Sequence, residues 1–234
     1  MQQPKPLRRT RGLAAAVTSN QKPPLIDRVA FRLSKSSMID GLWVGSFEGK
    51  PYPALRRVEA ALQLVKRHDA LGYDRITRHL DRIWVRLLPS GQAHYDRSIN
   101  ACVLDERHVL AETMTIEQIA SALIHEATHA RLERWGILYV EAMRTRIESI
   151  CLRRELNFLG KLPDTEALRD EVARTLEWCM ANHDDYFADA NFRTRKDIGE
   201  IEILRYLNAP SWIIGWATWL IRRRHRRASI STPP

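Results

Sequence analysis

The stretch TIEQIASALIHEATHARLER, residues 115–134, determines how this sequence is interpreted. It opens with a capping box, in which the hydroxyl of Thr115 and the side chain of Gln118 can satisfy the free backbone donors at the start of a helix. No Gly or Pro interrupts residues 116–134, and Gly136 follows as a stop signal. The sequence therefore predicts a well-delimited helix over 116–134.

Inside this helix, residues 125–129 read HEATH, an HExxH motif. Two histidines four residues apart lie on one face, so the imidazoles of His125 and His129 can both reach one tetrahedral zinc ion at roughly 2.0–2.1 Å. Glu126 lies about 100° further round the helix, where its carboxylate can take a proton from a water molecule activated by zinc. The motif predicts zinc ligands at His125 and His129 and a general base at Glu126.

The rest of the helix supports a site rather than a coincidence. For this composition, an HExxH match is expected by chance about 0.02 times. The apolar residues form one stripe nearly opposite the histidines, which predicts a core face and a separate site face. They are Ile116, Ile119, Ala120, Leu123, Ala127 and Ala130.

The third zinc ligand is sought in the helix predicted over 138–159. Position 135 is Trp, so the chain lacks the third histidine of the HExxHxxGxxH pattern. Glu141, Glu148 and Glu155 are spaced by seven and so share one face of the predicted helix. Glu148 lies 19 residues after His129 and, like Glu141, is a candidate ligand. Glu141 could instead accept a hydrogen bond from a histidine N–H, and Glu155 is expected to pair with arginines in solvent.

HExxH followed about twenty residues later by a helical Glu resembles the gluzincins, the thermolysin-like zinc metallopeptidases. The resemblance covers roughly residues 100–160, and it implies zinc held by His125, His129 and Glu148. Tyr139 precedes Glu148 by nine residues, where the family carries a tyrosine that steadies the oxyanion. The family's histidine for the transition state has no matched counterpart, although His183 is available. The Asp or Ser that follows the family's ligand Glu is not found in its usual form.

The remaining pattern predicts an α+β fold that is mostly helical. Apolar spacing indicates helices at 54–70, 72–80, 164–182 and 197–207, and strands at 82–89 and 100–110. We expect a small antiparallel sheet that precedes the zincin-like active-site helix. The resemblance to the gluzincins implies that the last strand, around Ala101 to Leu110, borders a cleft in which an extended peptide could pair with it.

Charge divides the chain into a mildly acidic body and two basic ends. Of the net charge of +9, residues 1–35 carry +7 and residues 222–234 carry +5, which leaves −3 for 36–221. We predict a flexible basic tail at 1–24, one metallopeptidase-like domain at 25–221 and a basic disordered tail at 222–234. Since no folded face is predicted to be basic, no specific nucleic-acid ligand is expected.

Two further features bear on location. The apolar run from Leu13 to Val17 is too short for a secretory signal, and three widely spaced cysteines form no disulfide framework, so a cytoplasmic location is expected. Trp212, Trp216 and Trp219 share one helix face just before five arginines in 222–227. We predict that this face packs on the body, and peripheral membrane contact is the alternative.

The sequence thus predicts a zinc-dependent hydrolase acting on a peptide or protein substrate, with Glu126 and Tyr139 as catalytic residues. A di-iron carboxylate bundle is disfavoured, because Glu126 to His129 is the only ExxH motif and that chemistry needs two. The remaining alternative is a non-catalytic protein that binds metal or a partner through a degenerate site. A fourth protein ligand would favour it, because structural zinc is closed by four.

Overall fold

A computed structural model describes residues 25–181 and 184–230. The tail predicted at 1–24, His183 and residues 231–234 lie outside the described part of the chain. Within that part, five strands and most of the helices precede or surround the HExxH helix, and the predicted α+β class with a predominance of helix is confirmed.

The described residues form ten helices and five strands. The helices are α1 Leu25–Leu33, α2 Pro53–His68, α3 Ala70–His79, α4 Glu106–Val109, α5 Ile116–Arg134, α6 Arg144–Leu159, α7 Glu166–Met180, α8 Asp184–Phe187, α9 Asp189–Tyr206 and α10 Ser211–Ile230. The strands are β1 Lys35–Ile39, β2 Leu42–Ser46, β3 Arg82–Arg86, β4 Ala93–Asp96 and β5 Ala101–Asp105.

The sheet is mixed, with the order β1-β2-β3-β5-β4. Strands β2, β3 and β5 are parallel, whereas the outer strands β1 and β4 pair antiparallel with their neighbours. The prediction that 82–89 and 100–110 pair antiparallel is therefore wrong. A third strand, β4, lies between them in sequence, so the chain reverses twice before β5 joins β3.

The hairpin of β1 and β2 was not predicted, although the sequence carries a signal for it. Asp40 and Gly41 form its turn, and both have positive φ, 47° and 85°. An Asp-Gly pair is favoured in such two-residue turns because both positions need left-handed backbone.

Helix α5 forms as predicted, because its ends are fixed by local hydrogen bonds. Both bonds of the capping box between Thr115 and Gln118 are present. At the other end, Gly136 has φ 80°, its N–H donates to the carbonyl of Glu133, and the N–H of Ile137 donates to that of Leu132. This is a Schellman motif, which uses a left-handed residue to satisfy the last carbonyls of a helix.

Helix α5 lies at the centre of the molecule and packs against α2, α3, α6 and β4. Its predicted apolar stripe is in the core, where Ala120, Leu123 and Ala130 are fully buried. The opposite face is covered as well, because Ser121, Glu126 and the histidines lie against neighbouring elements. The separate site face predicted from the sequence is thus mostly inside the protein.

Helix α6 begins at Arg144, six residues later than predicted. Residues 137–140 cross from α5 to α6, and a 3-10 turn at Glu141–Met143 leads into the helix. Glu141 is therefore not on the helix that carries Glu148 and Glu155.

Helix α9 is held against the loop that follows β3 by a backbone contact. A Cβ atom at Gly199 would lie 1.3 Å from the carbonyl oxygen of Pro89, so no larger residue fits there without moving the helix. Because α10 packs on α9, this contact also sets where the C-terminal helix lies.

Helix α10 differs from prediction in two ways. It continues through Ile230, where a disordered tail was predicted from residue 222, since residues 222–230 contain no Gly or Pro and include good helix formers. The indoles of Trp212, Trp216 and Trp219 are 72%, 60% and 52% exposed, so the prediction that they pack on the body is wrong. None of the described helices combines the length and the apolarity needed to cross a membrane.

Asp105 joins the end of the sheet to the next loop. Its carboxylate is fully buried, accepts hydrogen bonds from the N–H groups of Leu88 and Arg107 at 3.0 and 2.8 Å, and pairs with the Arg107 guanidinium at 2.7 Å. Burial opposes ionisation, but these contacts outweigh it and lower the pKa of Asp105. The charge is thus stabilised by partners that only the folded chain provides.

We therefore expect Asp105→Asn to lower the free energy of unfolding by about 3 kcal/mol, since it leaves the partly buried Arg107 without its counter-charge. Urea denaturation measures this. As a control, Asp74→Asn removes an exposed ion pair with Arg78 and should cost less than about 0.5 kcal/mol. Equal effects of the two substitutions would contradict the anchoring role of Asp105.

Candidate metal centre

The two histidines of the HExxH motif face each other on one side of α5. Their Nε2 atoms are 3.1 Å apart, and their side chains are 16% and 11% exposed for His125 and His129. Both rings are thus largely enclosed, and a small part of each is exposed to solvent.

Glu148 of α6 brings a carboxylate to the same point. One of its oxygens is 3.1 Å from Nε2 of His125, and the other is 3.6 Å from Nε2 of His129. Ligand atoms about 2.1 Å from a tetrahedral ion lie about 3.4 Å from one another. The three side chains predicted as ligands are therefore brought together at spacings that suit a small cation.

Glu155 lies behind His125 and holds it in one orientation. Its carboxylate is 2.6 Å from Nδ1 of His125 and accepts a hydrogen bond of 2.6 Å from the hydroxyl of Ser121. A proton on Nδ1 leaves the lone pair of Nε2 free to bind a metal, and carboxylates behind ligand histidines commonly serve this purpose.

The sequence-based assignments of the two other glutamates are thus corrected. Glu155 is buried instead of paired with arginines in solvent. Glu141 is exposed and accepts a hydrogen bond from the N–H of Asp189, so it is neither a ligand nor the histidine's partner. The reason is the late start of α6, which removes Glu141 from the face shared by Glu148 and Glu155.

Tyr139 lies beside the same carboxylate. Its hydroxyl donates a hydrogen bond to Glu148, and its ring packs edge-on against that of His129 at 5.2 Å between centroids. The guanidinium of Arg144 lies 5.5 Å from the centre of the same ring. The Tyr139 hydroxyl therefore contacts the same carboxylate that contacts both histidines.

Glu126 is buried on α5, where both His125 and Tyr95 of β4 influence its carboxyl group. It is only 5% exposed, and burial raises its pKa to about 7, an effect that His125 and, to a smaller extent, the N–H of Tyr95 in β4 oppose. A carboxyl group with a pKa near neutrality can both accept and return a proton at physiological pH.

The electrostatics of the cluster are dominated by its carboxylates. Burial opposes ionisation of Glu148, but His125 and His129 outweigh it and lower its pKa to about 2. Burial also opposes protonation of His125, but the pKa of His125 is raised because Cys151, Glu155 and Glu148 surround it. Burial lowers the pKa of His129 to about 4, so its ring stays neutral. Because Nδ1 of His125 faces Glu155, the additional proton lies on Nε2, at the position that a cation would otherwise take.

Cys151 is a further donor that the sequence did not suggest. Its thiol is fully buried on α6, and its sulfur, with one nitrogen of His125 and one of His129, forms a group whose members all lie within 4.8 Å of one another. Together with Glu148, which is not a member of that group but contacts both histidines, the site contains four candidate donor side chains. Whether three or four of them bind an ion separates a catalytic site from a structural one.

Two residues of this site were missed, and the sequence carries weak signals for both. Ser121 precedes His125 by four residues and so shares its face of α5, and Cys151 lies between Glu148 and Glu155 on α6. Neither signal says which residue of a face is buried, since that depends on the partner helix. His183, considered for the transition state, lies outside the described residues.

Comparison with models of protein families, with curated proteins and with solved structures found no match for this chain.

We expect Glu155→Gln to weaken metal binding about 10- to 100-fold, because the amide can no longer accept a full charge-assisted hydrogen bond from His125. Titration against a fluorescent chelator measures the affinity. Glu141→Gln is the matched control and should leave the affinity unchanged, since its carboxylate lies outside the cluster. A weaker affinity in the control but not in Glu155→Gln would contradict this assignment.

Proposed function

We propose that this protein is a zinc-dependent hydrolase of the gluzincin type that cleaves peptide bonds. The observation that carries the proposal is the convergence of the His125 and His129 Nε2 atoms with the Glu148 carboxylate. Glu155 adds to it by fixing the ring of His125.

The balance of charge in the site is independent support for a cation. Glu126, Glu148 and Glu155 are all largely buried, and among the described residues no Lys or Arg forms an ion pair with any of them. Buried carboxylates are costly unless they are paired with positive charge or coordinate a metal. A divalent ion bound to the two histidines and Glu148 would supply that charge, and zinc is the ion that this mixture of nitrogen and oxygen ligands favours.

Each side chain would then have a defined role. Bound zinc supplies a Lewis acid that lowers the pKa of a water molecule to about 7 and polarises the substrate carbonyl. Glu126 would take a proton from the attacking water as the water oxygen bonds to the carbonyl carbon, and would pass it to the nitrogen as the C–N bond breaks, for which its own pKa of about 7 is suited. Tyr139 donates a hydrogen bond to the oxygen that becomes negative, once its hydroxyl turns from Glu148.

The edge of the sheet suggests how a peptide would lie. Strand β5 was predicted to border the cleft, but it is buried between β3 and β4 and has no free edge. Strand β4 is last in the sheet and lies against α5, and its Tyr95 N–H acts on Glu126. We propose that an extended peptide adds to the outer edge of β4, which would bring its backbone to Glu126.

A second candidate function is a non-catalytic metal site, and Cys151 is the observation that favours it. If the sulfur joins the two histidines and Glu148, four protein ligands close the ion and no position remains for water. Burial raises the pKa of the Cys151 thiol, which disfavours the thiolate needed for coordination. We therefore rank the open, three-ligand site first.

We also propose a cytoplasmic location. Cys102, Cys151 and Cys179 are all buried and free, which is typical of proteins kept in a reducing compartment.

We expect one zinc ion per chain, lost in His125→Ala and in His129→Ala and retained in Glu126→Gln. Glu126→Gln should also lower kcat on a fluorescence-quenched peptide library by about 10²- to 10⁴-fold, because it removes the base and not a ligand. Elemental analysis and peptide turnover measure the two effects separately.

Two outcomes would contradict the proposed activity. Wild-type protein that holds no metal after zinc addition removes the site altogether. Wild type that binds zinc but does not turn over any member of the library, while Glu126→Gln binds it equally well, supports the non-catalytic function.

Cys151→Ala separates the two candidate functions. In a three-ligand site, the thiol is only a packing group, so the variant should keep zinc and activity with a modest loss of stability. In a four-ligand site, zinc affinity should fall sharply. The absorption spectrum of the cobalt-substituted protein gives a second readout, since a thiolate ligand adds a charge-transfer band that Cys151→Ala would remove.

A further inference from the structure

Helix α10 has two faces of different character, and the more exposed one is aromatic. Ile213, Ile214, Ala217, Leu220 and Ile221 are partly buried, and the last three line a cleft toward α9. Trp212, Trp216 and Trp219 lie within about 60° of arc on the other side. A helix packed on a protein body normally turns its largest apolar side chains inward, and α10 does the reverse.

The three tryptophan side chains of α10 are unusually exposed for large apolar groups. The three indoles are 72%, 60% and 52% exposed and are adjacent along one face. Contiguous apolar patches of this kind on a protein surface commonly mark a binding site for another protein or for a membrane. Tryptophan in particular is favoured at the boundary between lipid headgroups and acyl chains, because the indole is apolar but carries one N–H donor.

Positive charge continues the same helix. Arg222, Arg223 and Arg224 are exposed, and the guanidinium of Arg223 lies 5.2 Å from the ring of Trp219. The sequence adds Arg226 and Arg227, and residues 207–234 contain no acidic residue. The segment therefore combines an aromatic face with positive charge that no acid of 207–234 compensates, although Arg224 also lines the cleft toward α9 together with Glu200.

We propose that α10 binds the surface of an anionic phospholipid bilayer, with the three indoles at the level of the headgroups and the arginines on lipid phosphates. Charge complementarity selects this partner. A second copy of α10 would bring the same arginines together with no acid in 207–234 to pair with them, whereas an anionic bilayer supplies the counter-charge. The aromatic face and the charge then act on one surface, as in helices that lie in the membrane interface.

This inference does not depend on the proposed hydrolase activity, since no residue of α10 belongs to the metal centre. Its effect is to place the protein on a membrane surface. Substrates tethered to that surface would reach the site at a raised local concentration.

Vesicle flotation tests the inference with the full chain. Wild type should float with vesicles of phosphatidylcholine and phosphatidylglycerol and bind pure phosphatidylcholine far more weakly. Replacing Arg222, Arg223 and Arg224 by Gln should weaken binding about a hundredfold, at about fivefold per arginine. Replacing Trp212, Trp216 and Trp219 by Ala should weaken it more than about tenfold even on anionic vesicles.

Matched controls show whether flotation comes from the aromatic face of α10. Trp135→Ala removes an indole that is 59% exposed elsewhere on the protein and should leave flotation unchanged. Lipids with brominated acyl chains should quench wild-type fluorescence and should not quench the triple Trp→Ala variant. Far-UV circular dichroism and thermal unfolding show whether each variant is folded.

The inference is overturned if folded wild type does not bind the anionic vesicles. It is also overturned if binding survives the triple Trp→Ala substitution, since charge alone then accounts for it. A wild-type dimer by analytical ultracentrifugation that becomes monomeric in the triple variant, without vesicle binding, would instead make this face a contact between copies of the chain.

Discussion

Three carboxylates buried around α5 and α6 impose the constraint on which the rest of the site depends. An ionised carboxylate inside a protein is tolerated only where donors or positive charge surround it. Glu155 is paired with Ser121 and His125, and Glu148 is paired with Tyr139 and both histidines. These partners satisfy the hydrogen bonds and leave negative charge in excess. Excess negative charge is unfavourable inside a protein, and at this site it would favour the binding of a cation.

The fold meets this constraint by placing the site on two helices that pack along their length. Helix α5 is held by the core on one side, where Ala120, Ala127 and Ala130 allow close approach of its neighbours. Helix α6 then supplies Glu148 and Glu155 from one face, two turns apart. Glu148 contacts Nε2 of His125, and Glu155 contacts Nδ1 of the same ring. Since both helices are rigid, the donor atoms are positioned before any ligand arrives. Strand β4, the last strand of the sheet, packs against α5 on the third side.

Charge and apolar surface are distributed differently at the C-terminal end. The body between residues 36 and 221 carries a net charge of −3, which is too small to neutralise the five arginines that follow Ile221. Helix α10 rests on α9, which the Gly199 contact fixes against the body, and it turns its indoles outward. The aromatic and basic groups are thus presented together on a segment that does not take part in the metal centre. One chain in this way separates the side chains that would do chemistry from those that would locate the protein.

By itself, the sequence determined the features that depend on short-range interactions. The limits of α5 follow from a capping box and a Schellman glycine, and the pairing of His125 with His129 follows from the helical repeat. The choice of Glu148 among three glutamates seven residues apart came from the resemblance to the gluzincins. Tertiary structure decided the rest, because burial depends on which surfaces meet. Helix α6 begins only at Arg144, so Glu155 and not Glu141 is the partner of His125. The packing of α6 on α5 also places Cys151 beside the histidines. Tertiary structure also made the sheet mixed, placed β4 at one of its two edges and left the tryptophans of α10 exposed. A helical repeat states which residues share a face, but only the neighbouring elements decide whether that face is covered.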